Sequence, residues 1–90
     1  MQTMEEFALS FPSLRLAVGV QPWNATDLDA WAYGPAPGHG AVCAARFVLT
    51  VWNPSTPWQC GNFDMMDALG CWDNVHRAAF LTWVSKPWWP

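Results

Sequence analysis

Eight tryptophans, five phenylalanines and one tyrosine in ninety residues constrain this chain more than any other feature. Each such ring brings roughly 150–250 Å² of surface that folding must hide or leave open. A chain of this size buries only about 60–68% of the surface its unfolded form exposes. Part of the aromatic surface is therefore expected to stay open, to be covered by a second copy or by another protein. Little charge is present to keep such surfaces apart. Lys+Arg 4 and Asp+Glu 7 give a net charge of −3. Charged residues make up 12% of the chain, against ~25% in an ordinary soluble domain.

The same composition excludes several classes of function. Arg15, Arg46, Arg77 and Lys86 are scattered and make no basic face, so no nucleic-acid partner is expected. Seven carboxylates are too dilute for a polyanionic mimic of nucleic acid. A hydrophobic content of 52% excludes disorder of the low-hydropathy kind. The opening MQTMEEFALS carries acid where a secretory leader would carry Lys or Arg. The nearly apolar stretch from Ala41 to Trp52 is interrupted by Arg46 and falls short of the ~20 residues of a bilayer span. A cytoplasmic protein without membrane contact is expected, as one domain over residues 1–90. Cys43, Cys60 and Cys71 suit a reducing compartment, because three is odd and their spacing fits no disulfide framework. Asn24-Ala25-Thr26 matches a glycosylation sequon, which has no meaning without a secretory route.

Local patterns predict an α+β fold. Thr3-Met4-Glu5-Glu6 reads as a capping box for a helix from Met4 to Phe11, ended by Pro12. Leu14, Leu16, Val18 and Val20 alternate with Arg15, Ala17 and Gly19, the period of a half-buried strand. Asp27 to Tyr33 is ambiguous: Thr26 or Asp29 could cap a helix, while Ala30-Trp31-Ala32-Tyr33 alternates like a strand. The turn-forming GPAPGHG that follows favours the strand, with Arg46 to Trp52 as a third. Two helices then follow, Phe63 to Leu69 capped by Asn62, and Asn74 to Val84 capped by Asp73. The expectation is a small three-stranded antiparallel sheet with an N-terminal helix and two C-terminal helices. Leu14, Leu16, Val18, Phe47, Leu49, Val51, Phe80 and Trp83 are its predicted core, with Trp52 also inside. The element order resembles that of double-stranded-RNA-binding domains, whose basic docking residues have no counterpart here.

Chemistry-bearing residues give weaker patterns. His39, Cys43, Cys60, Cys71 and His76 run as H-x3-C, C-x10-C and C-x4-H, with no CxxC knuckle. The thiols read as core filling, and neither a metal nor another cofactor is expected. Asp73 stands one helical turn before His76, near Cys71, the order of an oriented base beside a nucleophile, and equally of a helix cap. Asp27-Leu28-Asp29 has only a superficial likeness to a metal-binding DxD, and helix-start electrostatics explain Asp64 fully and Asp67 in part, so both pairs are weak signals. The glycines of GPAPGHG follow no phosphate-binding order.

The tryptophans carry the functional expectation. Trp23, Trp58, Trp88 and Trp89 lie in loops or the tail beside prolines, which fix the backbone and pre-position the ring. Trp is enriched at interaction hot spots. These four are the expected partner-binding residues, whether the tail folds back, pairs with a second copy, or does both.

The run Trp72-Asp73-Asn74-Val75-His76-Arg77-Ala78-Ala79-Phe80 and the terminal Pro87-Trp88-Trp89-Pro90 resemble small uncharacterised proteins of proteobacterial plasmids and integrative elements. That resemblance implies an accessory gene that engages a host or replicon protein, and it implies no activity. The sequence thus predicts a non-enzymatic interaction module, most simply a homodimer. The rival reading is a small enzyme or metal-binding protein using Cys60, Cys71 and His76.

Overall fold

The structure, a computed structural model, describes residues 2–90. Among these residues five α-helices follow one another: α1 Met4–Leu9, α2 Ala25–Tyr33, α3 His39–Trp52, α4 Met65–Cys71 and α5 Asn74–Ser85. A 3-10 turn, Pro12–Leu14, lies between α1 and α2. The described residues contain no strand, so the three-stranded α+β arrangement is corrected to an all-helical one.

The two terminal helices follow their capping chemistry. Thr3 Oγ1 accepts from the Glu6 amide and Glu6 Oε1 accepts from the Thr3 amide, the reciprocal pair of a capping box. Asp73 caps α5 by accepting from the His76 amide at 2.9 Å. These bonds hold both carboxyls below their ordinary values, 4.5 for Glu6 and 3.8 for Asp73, the amide of Thr3 and that of His76 being the main causes. Their stabilising effect is therefore present above those values and is lost as pH falls through the lowered ones. Thermal midpoints recorded from about pH 6 to about pH 2 should stay level at first and drop below about pH 4. Glu6→Gln should flatten part of that drop.

The three predicted strands fail for separate reasons. Phe11, Leu14, Ala17 and Val20 are linked by successive i→i+3 bonds, so the chain from Phe11 to Val20 coils rather than extends. Leu14, Ala17 and Val20 are buried at that three-residue step. Leu16 and Val18 point outward, at 95% and 57% exposure. Gly19 then takes φ +93°, and a Cβ there would lie 2.4 Å from the Leu28 nitrogen, so the turn needs glycine. Leu16→Ala should change stability by no more than about 0.5 kcal/mol in denaturant melts, the response of an exposed site.

Asp27 to Tyr33 belongs to α2, because Asn24 caps it by accepting from the Asp27 amide at 3.1 Å. Arg46 to Trp52 is the second half of α3, which begins at His39 inside the expected turn. This helix buries Ala41, Cys43, Ala44, Ala45, Phe47, Val48, Leu49 and Val51. Residues on nearly every side of it are covered, as befits the central element of a small bundle. Trp52 is exposed and Trp83 only half-buried, which corrects their expected place in the core.

Phe47 is the hub. Its ring centroid lies 4.9 Å from Phe63, 5.0 Å from Phe80, 5.4 Å from Trp83, 5.9 Å from Phe7 and 6.0 Å from Phe11. Most of these pairs meet edge to face, the favoured geometry for aromatic contact. Through them α3 gathers α1, the loop before α4, and α5 around one core.

Candidate functional site

Two places in the fold concentrate chemistry. The first is a groove at the C-terminal end. Pro87 prevents α5 from continuing, and the tail turns back so that Trp83 Nε1 donates to the Trp88 carbonyl at 3.0 Å. The Trp88 ring then meets Phe7 of α1 edge-on at 5.4 Å, and Trp89 meets Trp83 at 5.2 Å. Between α1, one side of α5 and the tail a groove of about 790 Å³ remains open. Phe7, Val75, Ala79, Trp83, Trp88 and Trp89 supply its apolar walls, and Lys86 is the one charged side chain among the described residues that line it. Trp89 stays 61% exposed at the rim.

The four tryptophans expected to act together stand in separate places. Trp88 and Trp89 shape the groove. Trp23 is half-buried against the core with its ring 5.5 Å from Trp52, and its buried Nε1 has no hydrogen-bond partner among the described residues. Trp58 is half-buried and donates from Nε1 to the Asn53 carbonyl at 3.2 Å.

The second place lies between α3 and α4. His39 and Cys43 are one helical turn apart on α3, and Asp67 and Cys71 are one turn apart on α4, so each pair shares a face. The faces meet. Cys43 Sγ is 3.8 Å from Cys71 Sγ, 3.8 Å from His39 Nε2 and 3.7 Å from Asp67 Oδ2. His39 Nε2 is 2.8 and 2.9 Å from the two Asp67 oxygens. That bond, ahead of the other influences, holds the Asp67 carboxyl below its usual range. Trp72 Nε1 donates to the Gly40 carbonyl at 3.0 Å and pins the end of α4 to the start of α3. Burial, reinforced by Cys71, pushes the Cys43 thiol up to about 12.

Cys60, Cys71 and His76 do not form one group. Cys60 is buried beside Asp29, whose carboxylate accepts from the amides of Gln59 and Cys60 at 3.0 and 2.9 Å. Burial and then that carboxylate push its thiol up to about 12, the reverse of the lowered value a thiolate nucleophile requires. Asp29 is thereby a satisfied buried acid, separate in role from Asp27 in the first turn of α2. Asp64 caps α4 by accepting from the Asp67 amide at 3.0 Å, in place of the Asn62 cap expected.

His76 stands in a different chain of bonds, Asp73 Oδ1 to Nδ1 at 2.7 Å and Nε2 to Ser13 Oγ at 2.7 Å. This is the order of orienter, base and hydroxyl in a serine hydrolase. The Ser13 amide also points at Nε2, at 3.3 Å, which makes the ring a cap for the 3-10 turn. The following amides, Leu14 and Arg15, are bonded to the Phe11 and Pro12 carbonyls. The amides of Ser13, Leu14 and Arg15 are thus all engaged, and none of the three is free to stabilise an oxyanion. The groove lining also excludes Ser13, Asp73 and His76.

Sequence spacing sets His39, Cys43 and Cys71 aside because no CxxC knuckle joins them, and it pairs Asp67 with Asp64 instead. The signal that finds them is the repeated four-residue step, H-x3-C and D-x3-C, once both segments are helices. No helix among the described residues is long and apolar enough to cross a membrane. Comparison with protein-family models, curated proteins and solved structures finds no match for this chain.

Proposed function

We propose that this protein is a non-enzymatic interaction module that works through the C-terminal groove, and that the groove's occupant is a second copy of the chain. The observation that carries the reading is that one short segment supplies both halves of a contact. Trp88 walls the groove while Trp89 stands open at its rim. An exposed ring beside an apolar groove is self-complementary, so a two-fold pairing satisfies both copies at once. With a net charge of −3 on each chain, electrostatic repulsion between copies is small. A stable dimer buries about 800 Å² per partner, about a seventh of the 5274 Å² that this chain exposes. Other outward apolar side chains, such as Leu16 and Met66, lie outside the groove lining.

Solution mass as a function of concentration tests this. The full chain should sediment as a dimer at micromolar concentration, and Trp89→Glu as a monomer with unchanged helical circular dichroism. A full chain that stays monomeric throughout would contradict the self-association reading. Binding of Trp89→Glu and the parent chain to a host protein with equal affinity would also contradict the groove as the contact surface.

A further inference from the structure

We propose that His39, Cys43 and Cys71, with the Asp67 carboxylate, form a binding site for one zinc ion between α3 and α4. The ligand atoms of His39, Cys43 and Cys71 all lie within 4.8 Å of one another. A tetrahedral ion held at about 2.3 Å by sulfur and about 2.0 Å by nitrogen or oxygen has S–S edges near 3.8 Å and S–N or S–O edges near 3.5 Å. The corresponding separations here are 3.8 Å between the sulfurs, 3.8 Å from Cys43 to His39 and 3.7 Å from Cys43 to Asp67. The three edges that meet at Cys43 thus match those of a coordination tetrahedron, and His39 lies within 4.8 Å of Cys71, without any donor having to change helix or register.

A fourth edge, His39 to Asp67, is shorter at 2.8 Å. A hydrogen bond spans it, and an ion would take the place of the shared proton. Two sulfurs and an imidazole select a borderline or soft metal over Mg²⁺ or Ca²⁺, which favour all-oxygen sites. Arg46 Nη1 stands 4.0 Å from Asp67 Oδ2 and offsets the negative charge that two thiolates and a carboxylate bring together.

Access and mechanical need support the same reading. Cys43 is buried, but the His39 and Asp67 side chains are 57% and 41% exposed, so an ion has an entry path from solvent. α4 has seven residues and buries only Ala68. A helix that short is marginal by itself. An ion tying Asp67 and Cys71 to His39 and Cys43 would fasten α4 to the central helix where apolar contact is thin. Small folds use structural metals for this purpose. None of the four residues lines the C-terminal groove, so this site does not depend on the contact proposed there.

The test is titration of the reduced, metal-free full chain with Zn²⁺ and with Co²⁺ as a spectroscopic probe. One equivalent should bind, and Co²⁺ should show thiolate charge-transfer absorption together with the visible bands of a tetrahedral site. Zn²⁺ should slow hydrogen exchange across residues 65–71 and leave the groove unchanged. Cys71→Ser and His39→Ala, both at exposed positions, should keep the fold and weaken binding by more than the about 10–100-fold typical of a residue that only orients a ligand. Cys60→Ser should bind as the parent does. Absence of binding by the reduced chain would overturn the site, including the case in which Cys43 and Cys71 instead form a disulfide on oxidation. Loss of the thiolate bands in Cys60→Ser, or their survival at full intensity and unchanged affinity in Cys71→Ser, would overturn it as well.

Discussion

Replacing Phe47 with Ala is expected to cost about 3–5 kcal/mol, a large share of the about 5–13 kcal/mol that holds a domain of this size folded. The reason is position as well as volume. Phe47 is on the central helix, and five aromatic rings from both ends of the chain converge on it at 4.9 to 6.0 Å. Removing the ring opens a space that those five planar neighbours cannot fill together, so the cavity adds to the lost transfer energy. Phe47→Leu keeps most of the volume and should cost less than about 1.5 kcal/mol. Denaturant midpoints of the two variants and the parent measure this directly. A loss below about 1 kcal/mol for Phe47→Ala would place the centre of the core elsewhere.

Removal of residues 87–90 should have the second-largest effect, with two separable parts. The Trp88 ring lies against Phe7, and its carbonyl accepts from Trp83. Losing it uncovers apolar surface on α1 and α5, a cost of about 1.5–3 kcal/mol. That part should persist at high dilution, where no association occurs. The other part, loss of dimerisation, should appear only at concentrations where the parent associates. Trp89→Glu removes the second part and spares the first, because Trp89 is exposed while Trp88 anchors the tail. Equal stability of parent and truncated chains at every concentration would contradict both the fold-back and the contact.

The ends of the fold were legible because their signals are local. Thr3 with Glu6, and Asp73 before an apolar run, specify helix starts through bonds spanning three residues. Helix α4 is displaced by two residues from its expected span because Asp64 rather than Asn62 supplies the cap. The middle of the chain misleads because its apolar residues are too dense to define a period. Leu14, Ala17 and Val20 fit a three-residue step as well as Leu14, Leu16, Val18 and Val20 fit a two-residue step. Only tertiary burial decides between them. Val48, Thr50 and Val51 have high strand propensity, yet they continue a helix that starts at His39 and is buried on most sides.

That error hid the thiol–imidazole cluster. In a strand His39 and Cys43 would stand about 13 Å apart, whereas one helical turn separates them by about 6 Å. Once His39 to Trp52 is read as one helix, in place of a turn and a strand from Arg46, the four-residue steps on α3 and α4 align, and Cys43 meets Cys71. The groove was partly legible. Pro87-Trp88-Trp89-Pro90 marks the tail as a place of consequence, but nothing local separates its two adjacent indoles into one that anchors and one that stays open. Their different roles come from Phe7, eighty residues away in sequence.

Hydrogen exchange measured at low and at high protein concentration locates the contact without any substitution. The account predicts that association adds protection along α5 and the tail, residues 75–89, and at Phe7 to Ser10 of the facing wall. Added protection at Leu16 to Val18 or at Met65 and Met66 instead, or none at any concentration, would contradict it.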